Sequence, residues 1–500
     1  MKAKMIVLIG VMICLQWVQV WASKEVKFYI YPLGQEFWWR WPNCTSDSPF
    51  TNYAQNSGIG PVLDEARGLF DTYQFSMFSS MYQRLKRSGR RTRDPEQADV
   101  FVIPFDYSLA KRADYDCRAR GQNYCPPVMY DMAKKVLFSS PYYRRHKGID
   151  HLVISSLTGP IYDACGEFFK HCSLCAVTNY WLSPQPEESN FVSVPWPSYY
   201  HWQQGQDGTV ESFARKLNRP WDLEHVKSRK HFVSYAGGIK VMNSEHSKIR
   251  RHIVEECRKS ARCNYVDVKR VMEQKTDVEG AVKESTTQSG VITSIMAAYA
   301  QSIFCLCPPG DDPSRRALID MLLSGCIPVM FTPVSFHNGQ YPWHIGEETA
   351  ARISVLIPAA VFLRRLDNVH AGMVPYLESI PPADVAQRQK LIAELAPTLQ
   401  YSMPPTQLLT DIADETPWDP PFRDAVDITI DGVFDRAQRY KALDHGDYTL
   451  FADNNPKRVP KNSPKREYYE ANPEISSKLI PGLRYMSWGN WVKTFNHTIP

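Results

Sequence analysis

Short apolar runs recur along the chain and alternate with segments whose apolar residues return every third or fourth position. FYIY, VFVIPF, HLVIS, LCAVTNY and FVSVPW are bounded by polar or turn-forming residues and read as buried strands. Between them, 75–86 (FSMFSSMYQRLK) and 128–138 have the spacing of amphipathic helices. Strands alternating with helices predict a parallel sheet flanked by helices. A Gly- and Gln-containing interval at 203–207 and a charged, helix-like stretch to 229 interrupt this series. A second series begins with HFVSYAGG at 231–238 and passes through a basic helix at 247–259. SIFCLC, CIPVMF and ISVLIP follow. Amphipathic helices are expected at 383–396 and 420–439, and beyond 441 no period is sustained. The expected organisation is a leader at 1–25, α/β units at 26–227 and 228–440, and an irregular tail at 441–500.

Within the second series, 302–331 (SIFCLCPPGDDPSRRALIDMLLSGCIPVMF) reads as strand, loop, helix and strand, with Ser314 as the expected N-cap of the helix. Arg315 and Arg316 stand in the first turn, where the positive end of the helix dipole favours anions and opposes cations. Two arginines there make sense if an anion such as a phosphate lies between them. Asp320 is four residues beyond Arg316, the spacing of an intrahelical ion pair that positions the arginine.

PPGD, SRR, Asp320 and GCIPV, at these spacings, resemble the signature of exostosin-type glycosyltransferases, closest to the plant xyloglucan galactosyltransferase branch. The resemblance runs through KFYIYPLG, ADVFVIPF, GIDHLVIS, RKHFVSYAGG, QYPWHI and ISVLIP in family order, over about 26–436. It implies an α/β fold of GT-B type: an acceptor-side Rossmann-like lobe at 26–227 and a nucleotide-sugar-binding lobe at 228–440, facing a cleft. The implied reaction is inverting transfer of a sugar, galactose first, from a UDP-sugar to a polysaccharide or glycoprotein glycan. A catalytically inactive lumenal carbohydrate-binding or scaffold protein of the same fold is the alternative reading.

For the donor, the expected binding residues are Gly237, Gly238, Lys240, Gly310, Ser314, Arg315, Arg316, Asp320 and His344. The arginines neutralise the diphosphate, and the glycines let backbone approach it. The catalytic base is expected at Asp163 or Asp106, because Leu157 and Thr158 stand where many members carry His-Asp. No cofactor and no metal are expected. Asp114-Tyr115-Asp116 has the spacing of a cation-binding triplet, but paired arginines already supply positive charge.

Composition narrows the setting. A net charge of +5 over 500 residues, without a basic block interleaved with aromatics, argues against nucleic acid as a partner. Lys2 and Lys4 precede an apolar stretch at 5–22, either a cleaved signal peptide or a type II membrane anchor. Both routes lead to the secretory lumen, and the resemblance implies the Golgi, with other glycosyltransferases as candidate partners. Among the 12 cysteines, Cys117 with Cys125 and Cys257 with Cys263 have the spacing of local disulfides. Cys305, Cys307 and Cys326 lie in apolar strands and read as small core residues. Cys165, Cys172 and Cys175 with His171 offer metal-ligand types but lack a second CxxC. Asn43 and Asn496 head glycosylation acceptor triplets.

Overall fold

A computed structural model describes residues 25–33, 55–106, 138–156, 175–178, 191–203, 229–268 and 288–442, except positions 66, 147, 242, 312, 334, 365–370 and 412. The leader, Cys117, Cys125, Cys165, Cys172, Asp114, Asp116, Asp163, both glycosylation triplets and the tail lie outside the described residues, as does most of the helix expected at 128–138. Among the described residues no helix is long and apolar enough to cross a membrane.

The first series forms β1 (Phe28–Ile30), β2 (Val62–Asp64), β3 (Leu69–Phe70), β4 (Arg91–Thr92), β5 (Val100–Ile103), β6 (His151–Ile154), β7 (Cys175–Thr178) and β8 (Phe191–Ser193). Six of these make a parallel sheet in the order β4-β1-β5-β6-β7-β8, while β2 and β3 pair antiparallel apart from it. The second series forms β9 (His231–Ala236), β10 (Cys263–Val266), β11 (Ser302–Cys307), β12 (Ile327–Met330) and β13 (Val355–Leu356), parallel in the order β10-β9-β11-β12-β13. VFVI, HLVI and IPVM are buried along their whole lengths, as expected of strands covered on both faces.

Helices cover the sheets: α1 (Met77–Leu85), α2 (Ser244–Lys259), α3 (Gln288–Ala300), α4 (Arg316–Leu323), α5 (Glu347–Ile353), α6 (Pro382–Leu395) and α7 (Ala425–Ala442). The start of α2 is fixed by Asn243, whose side chain accepts from the amides of Glu245 and His246.

From residue 401 the chain returns to the first sheet. Tyr401, Met403 and Leu409, then Ala425, Val426, Ile430 and Val433 of α7, share one buried core with Phe28, Val100, Val102, Leu152 and Ile154. Sequence order had grouped these residues with the second series through 440. The apolar stripe of α7 and its charges place them instead. The buried Arg84 of α1 pairs with Asp419 at 2.6 Å, Asp427 at 3.1 Å and Asp424 at 3.3 Å. Gly432 lets Trp343 lie against α7, because a Cβ there would come within 2.2 Å of the indole.

Cys257 and Cys263 are disulfide-bonded, as their spacing predicts. Cys305 and Cys326 are not the separate core residues expected; they form a second disulfide. Parallel pairing of Phe304 with Ile327 and of Cys305 with Pro328 brings the two sulfurs together across neighbouring strands. Cys307 is a buried free thiol, and burial pushes its pKa up to about 11.

Candidate active site

The segment at 302–331 folds as strand, loop, helix and strand, but its polar side chains divide between two tasks. The helix α4 begins at Arg316, and Arg315 is its N-cap, in extended backbone (φ −137°, ψ 123°) with no side-chain cap bond. Ser314 is therefore not the cap that the sequence predicts. Its buried hydroxyl accepts the Trp196 indole N–H at 2.7 Å and the Gln340 amide at 2.6 Å. Trp196 lies just beyond β8, so this hydroxyl joins the first sheet to the signature loop.

Arg316 and Asp320 extend that seam. The buried carboxylate of Asp320 accepts from the Ser198 hydroxyl at 2.6 Å and the Tyr199 amide at 3.2 Å, and stands 3.8 Å from Arg316 Nε. Burial pushes its pKa up, while Arg316 and the two hydrogen bonds oppose the rise. Arg316 donates to the Thr72 carbonyl at 2.7 Å and lies 3.8 Å above the Tyr199 ring. The i,i+4 pair predicted from spacing is present, and both members face the first sheet.

Arg315 turns the other way, to the loops that follow β9 and β11. Its guanidinium covers Gly310 so closely that a Cβ there would stand 1.9 Å from Nη1, which is why glycine occupies that position. Beside it Arg250 of α2, 4% exposed, donates to the Pro309 carbonyl at 2.9 Å and the Gly238 carbonyl at 2.9 Å. The Tyr235 hydroxyl also donates to Gly238, and His246 Nδ1–H donates to the Gly310 carbonyl at 2.6 Å. Burial lowers the pKa of Arg250 and of His246, and Arg315 lowers both further. Among the described residues neither Arg250 nor Arg315 forms a salt bridge, and Arg315 Nε is buried without a hydrogen-bond partner. Asp311 lies close enough to favour the charged forms of Arg250 and His246, but among the described residues it forms no salt bridge with either guanidinium, so the adjacent pair makes an anion-seeking spot.

The remaining candidates lie at different distances from this spot. Gly237 and Gly238 form the loop bonded to Arg250; a Cβ on Gly238 would meet open space within 4 Å, whereas one on Gly237 would press on the Tyr235 ring. Lys240 is exposed on the same loop. His344 is not gathered with them. It is buried beneath α7, donating from Nε2 to the Ala425 carbonyl at 3.1 Å, and burial pushes its pKa down to about 4. Asp106 lies beyond the carboxyl end of β5, 7% exposed.

Sequence reasoning missed Arg250, His246 and the Trp196–Tyr199 segment. A signal for the first two was present: His246, Ile249, Arg250, Ile253, Val254 and Cys257 form the buried stripe of α2, so a His and an Arg occupy apolar-face positions. PWPSYY, directly after a strand, was the mark of the third.

The sequence profile described as the Exostosin GT47 domain matches residues 22–370. Among curated proteins of Arabidopsis thaliana, the chain is 26% identical over 404 residues to xyloglucan-specific galacturonosyltransferase 1, covering 77% of this chain and 52% of that protein. It is 26% identical over 414 residues to the probable xyloglucan galactosyltransferase GT20, covering 79% and 64% respectively. To the xyloglucan galactosyltransferase MUR3 it is 25% identical over 427 residues, covering 80% and 60%. The chain thus spans between about half and two thirds of the length of these relatives.

Proposed function

The chain belongs to the exostosin GT47 family, and from that premise we propose that it is an inverting glycosyltransferase acting on a cell-wall polysaccharide. UDP-galactose is the proposed donor and xyloglucan the proposed acceptor. The observation that carries the donor side is the couple of Arg315 and Arg250, without a salt bridge among the described residues, against the Gly238 and Gly310 loops, which matches a diphosphate in charge. Lys240, Gly237 and Gly238 complete that site. Ser314, Arg316 and Asp320 hold the helix that carries Arg315 against the first sheet, and His344 supports α7.

In the reaction, an acceptor hydroxyl attacks the anomeric carbon of the donor as the bond to the diphosphate breaks. The hydroxyl proton passes to a carboxylate, Asp106 or Asp163, and UDP leaves with the charge that the arginines neutralise. The proposed arrangement is of GT-B type, with the two parallel sheets as the cores of facing lobes. No divalent cation is required. The apolar segment at 5–22 directs the protein to the Golgi lumen, as a type II anchor or a cleaved signal.

The test is thermal shift of purified protein with UDP, UDP-galactose, UDP-galacturonate and UDP-xylose, followed by transfer assays with xyloglucan. UDP is expected to raise Tm and UDP-galactose to support transfer, with and without a chelator. Arg315→Ala and Arg250→Ala should each weaken UDP binding about ten-fold or more, the scale of a charge-assisted hydrogen bond. Absence of any nucleotide response in the wild type sinks the reading, as does an undiminished response in both variants. Transfer only from UDP-galacturonate would change the sugar and leave the class.

A further inference from the structure

We propose that Gln340 is a positioning residue for donor binding: it clamps Ser314 and so sets Arg315 against the Gly310 loop, an inference that rests on the donor reading above. The Ser314 hydroxyl accepts from Gln340 Nε2 at 2.6 Å and from Trp196 Nε1 at 2.7 Å, so its oxygen is held from two sides. Arg315 follows immediately, in extended backbone and with no side-chain cap bond of its own. Its guanidinium lies over Gly310, where a Cβ would come within 1.9 Å of Nη1, a close fit that a shift of the preceding residue disturbs. Gln340 is fully buried and Ser314 nearly so, so a lost bond between them is not replaced by bulk water.

A strained turn delivers Gln340 to that point. β11 and β12 are parallel neighbours with Cys307 opposite Met330, so the loops after them leave the same edge of the sheet. Beyond β12 the chain turns back through a short 3-10 helix, Phe336–Asn338. The amides of Asn338 and Gln340 both donate to the Ser335 carbonyl, at 3.2 and 3.1 Å, and Gly339 closes the turn at φ 72°. Ser335 has φ 88° and ψ −95°, a conformation that residues with a Cβ avoid, and it is buried. Strain kept in a buried turn points to whatever the turn positions. The Ser335 hydroxyl donates to Gln340 Oε1, which leaves the other end of the amide, Nε2, directed at Ser314. Ser335, Gln340 and Ser314 are all neutral, so they aim an arginine without offering it a competing carboxylate. His344, four residues on, does not share this task, since it bonds Ala425.

The test is calorimetric titration of UDP into the full chain and into Gln340→Met, which fills a similar space without an N–H donor, each with Arg315 intact and with Arg315→Ala. Gln340→Met should weaken UDP binding about five-fold, the scale of one lost hydrogen bond, and change it by no more than about two-fold once Arg315 is alanine. Loss of packing alone would not give that non-additivity. Ser335→Gly removes the hydroxyl that orients Gln340 and folds readily, because glycine adopts a positive φ without strain. It should weaken UDP binding about three-fold, and it carries the test if Gln340→Met does not fold. The proposal is overturned if the folded variants bind UDP as the wild type does, or if the loss is the same with and without Arg315. A wild type that does not bind UDP overturns the donor reading and this one with it, whereas UDP binding that survives both substitutions overturns this one alone.

Discussion

Arg315 and Arg316 are neighbours in sequence and serve different surfaces. The backbone changes from extended at Arg315 to helical at Arg316, so their side chains diverge, one over Gly310 and the other towards Thr72. The pair itself was legible in the sequence; its division was not, because it depends on where the helix begins to within one residue. His344 is a second case of an identifiable residue with an unforeseen role. Donating from Nε2 to Ala425, it keeps Nδ1 as a lone pair without a partner among the described residues, and burial holds the ring neutral. Its pKa falls from 6.5 in the unfolded chain to about 4 in the fold, so between these values the unfolded state binds more protons. The stability it contributes is present above 6.5 and is lost as pH falls towards 4. His344→Gln retains a donor for Ala425 and should flatten the pH dependence of urea unfolding there by about one proton, roughly 1.4 kcal/mol per pH unit. An unchanged slope would contradict the buried neutral state.

At the scale of elements, β11, its loop, α4 and β12 were readable because each signal is local: apolar runs, PPGDDP as a breaker and an amphipathic helix. The helix expected at 383–396 is observed at Pro382–Leu395. The Cys305–Cys326 bond was not readable, since it depends on strand register and not on spacing. It closes a loop with a sequence separation of 21 that contains the whole signature segment from Pro308 through α4. Replacing both cysteines by alanine should cost about 3 kcal/mol, the loop-closure value for this separation, in urea denaturation under non-reducing conditions. A loss below about 1 kcal/mol would mean that strand pairing alone holds the segment.

At the scale of the whole molecule, the return at 401–442 joins the second series back to the first sheet through α7 and the Arg84 cluster. Arg84→Ala leaves Asp424 and Asp427 buried without that cation, and about 3–5 kcal/mol of stability should be lost. A loss no larger than that of an exposed arginine would show that the return is held by apolar contact alone. The matched profile ends at 370, before this return, so the first core is completed by residues outside the match. By itself the sequence determined the alternating α/β order, the anion-seeking signature and the family, because periodicity, turn chemistry and motif spacing are written in adjacent residues. Tertiary structure decided that Arg250 joins Arg315, that Ser314 and Asp320 face the first sheet, and that α7 closes a core begun at Phe28. These are relations between distant segments, set by which surfaces bury one another and which charges they bring together.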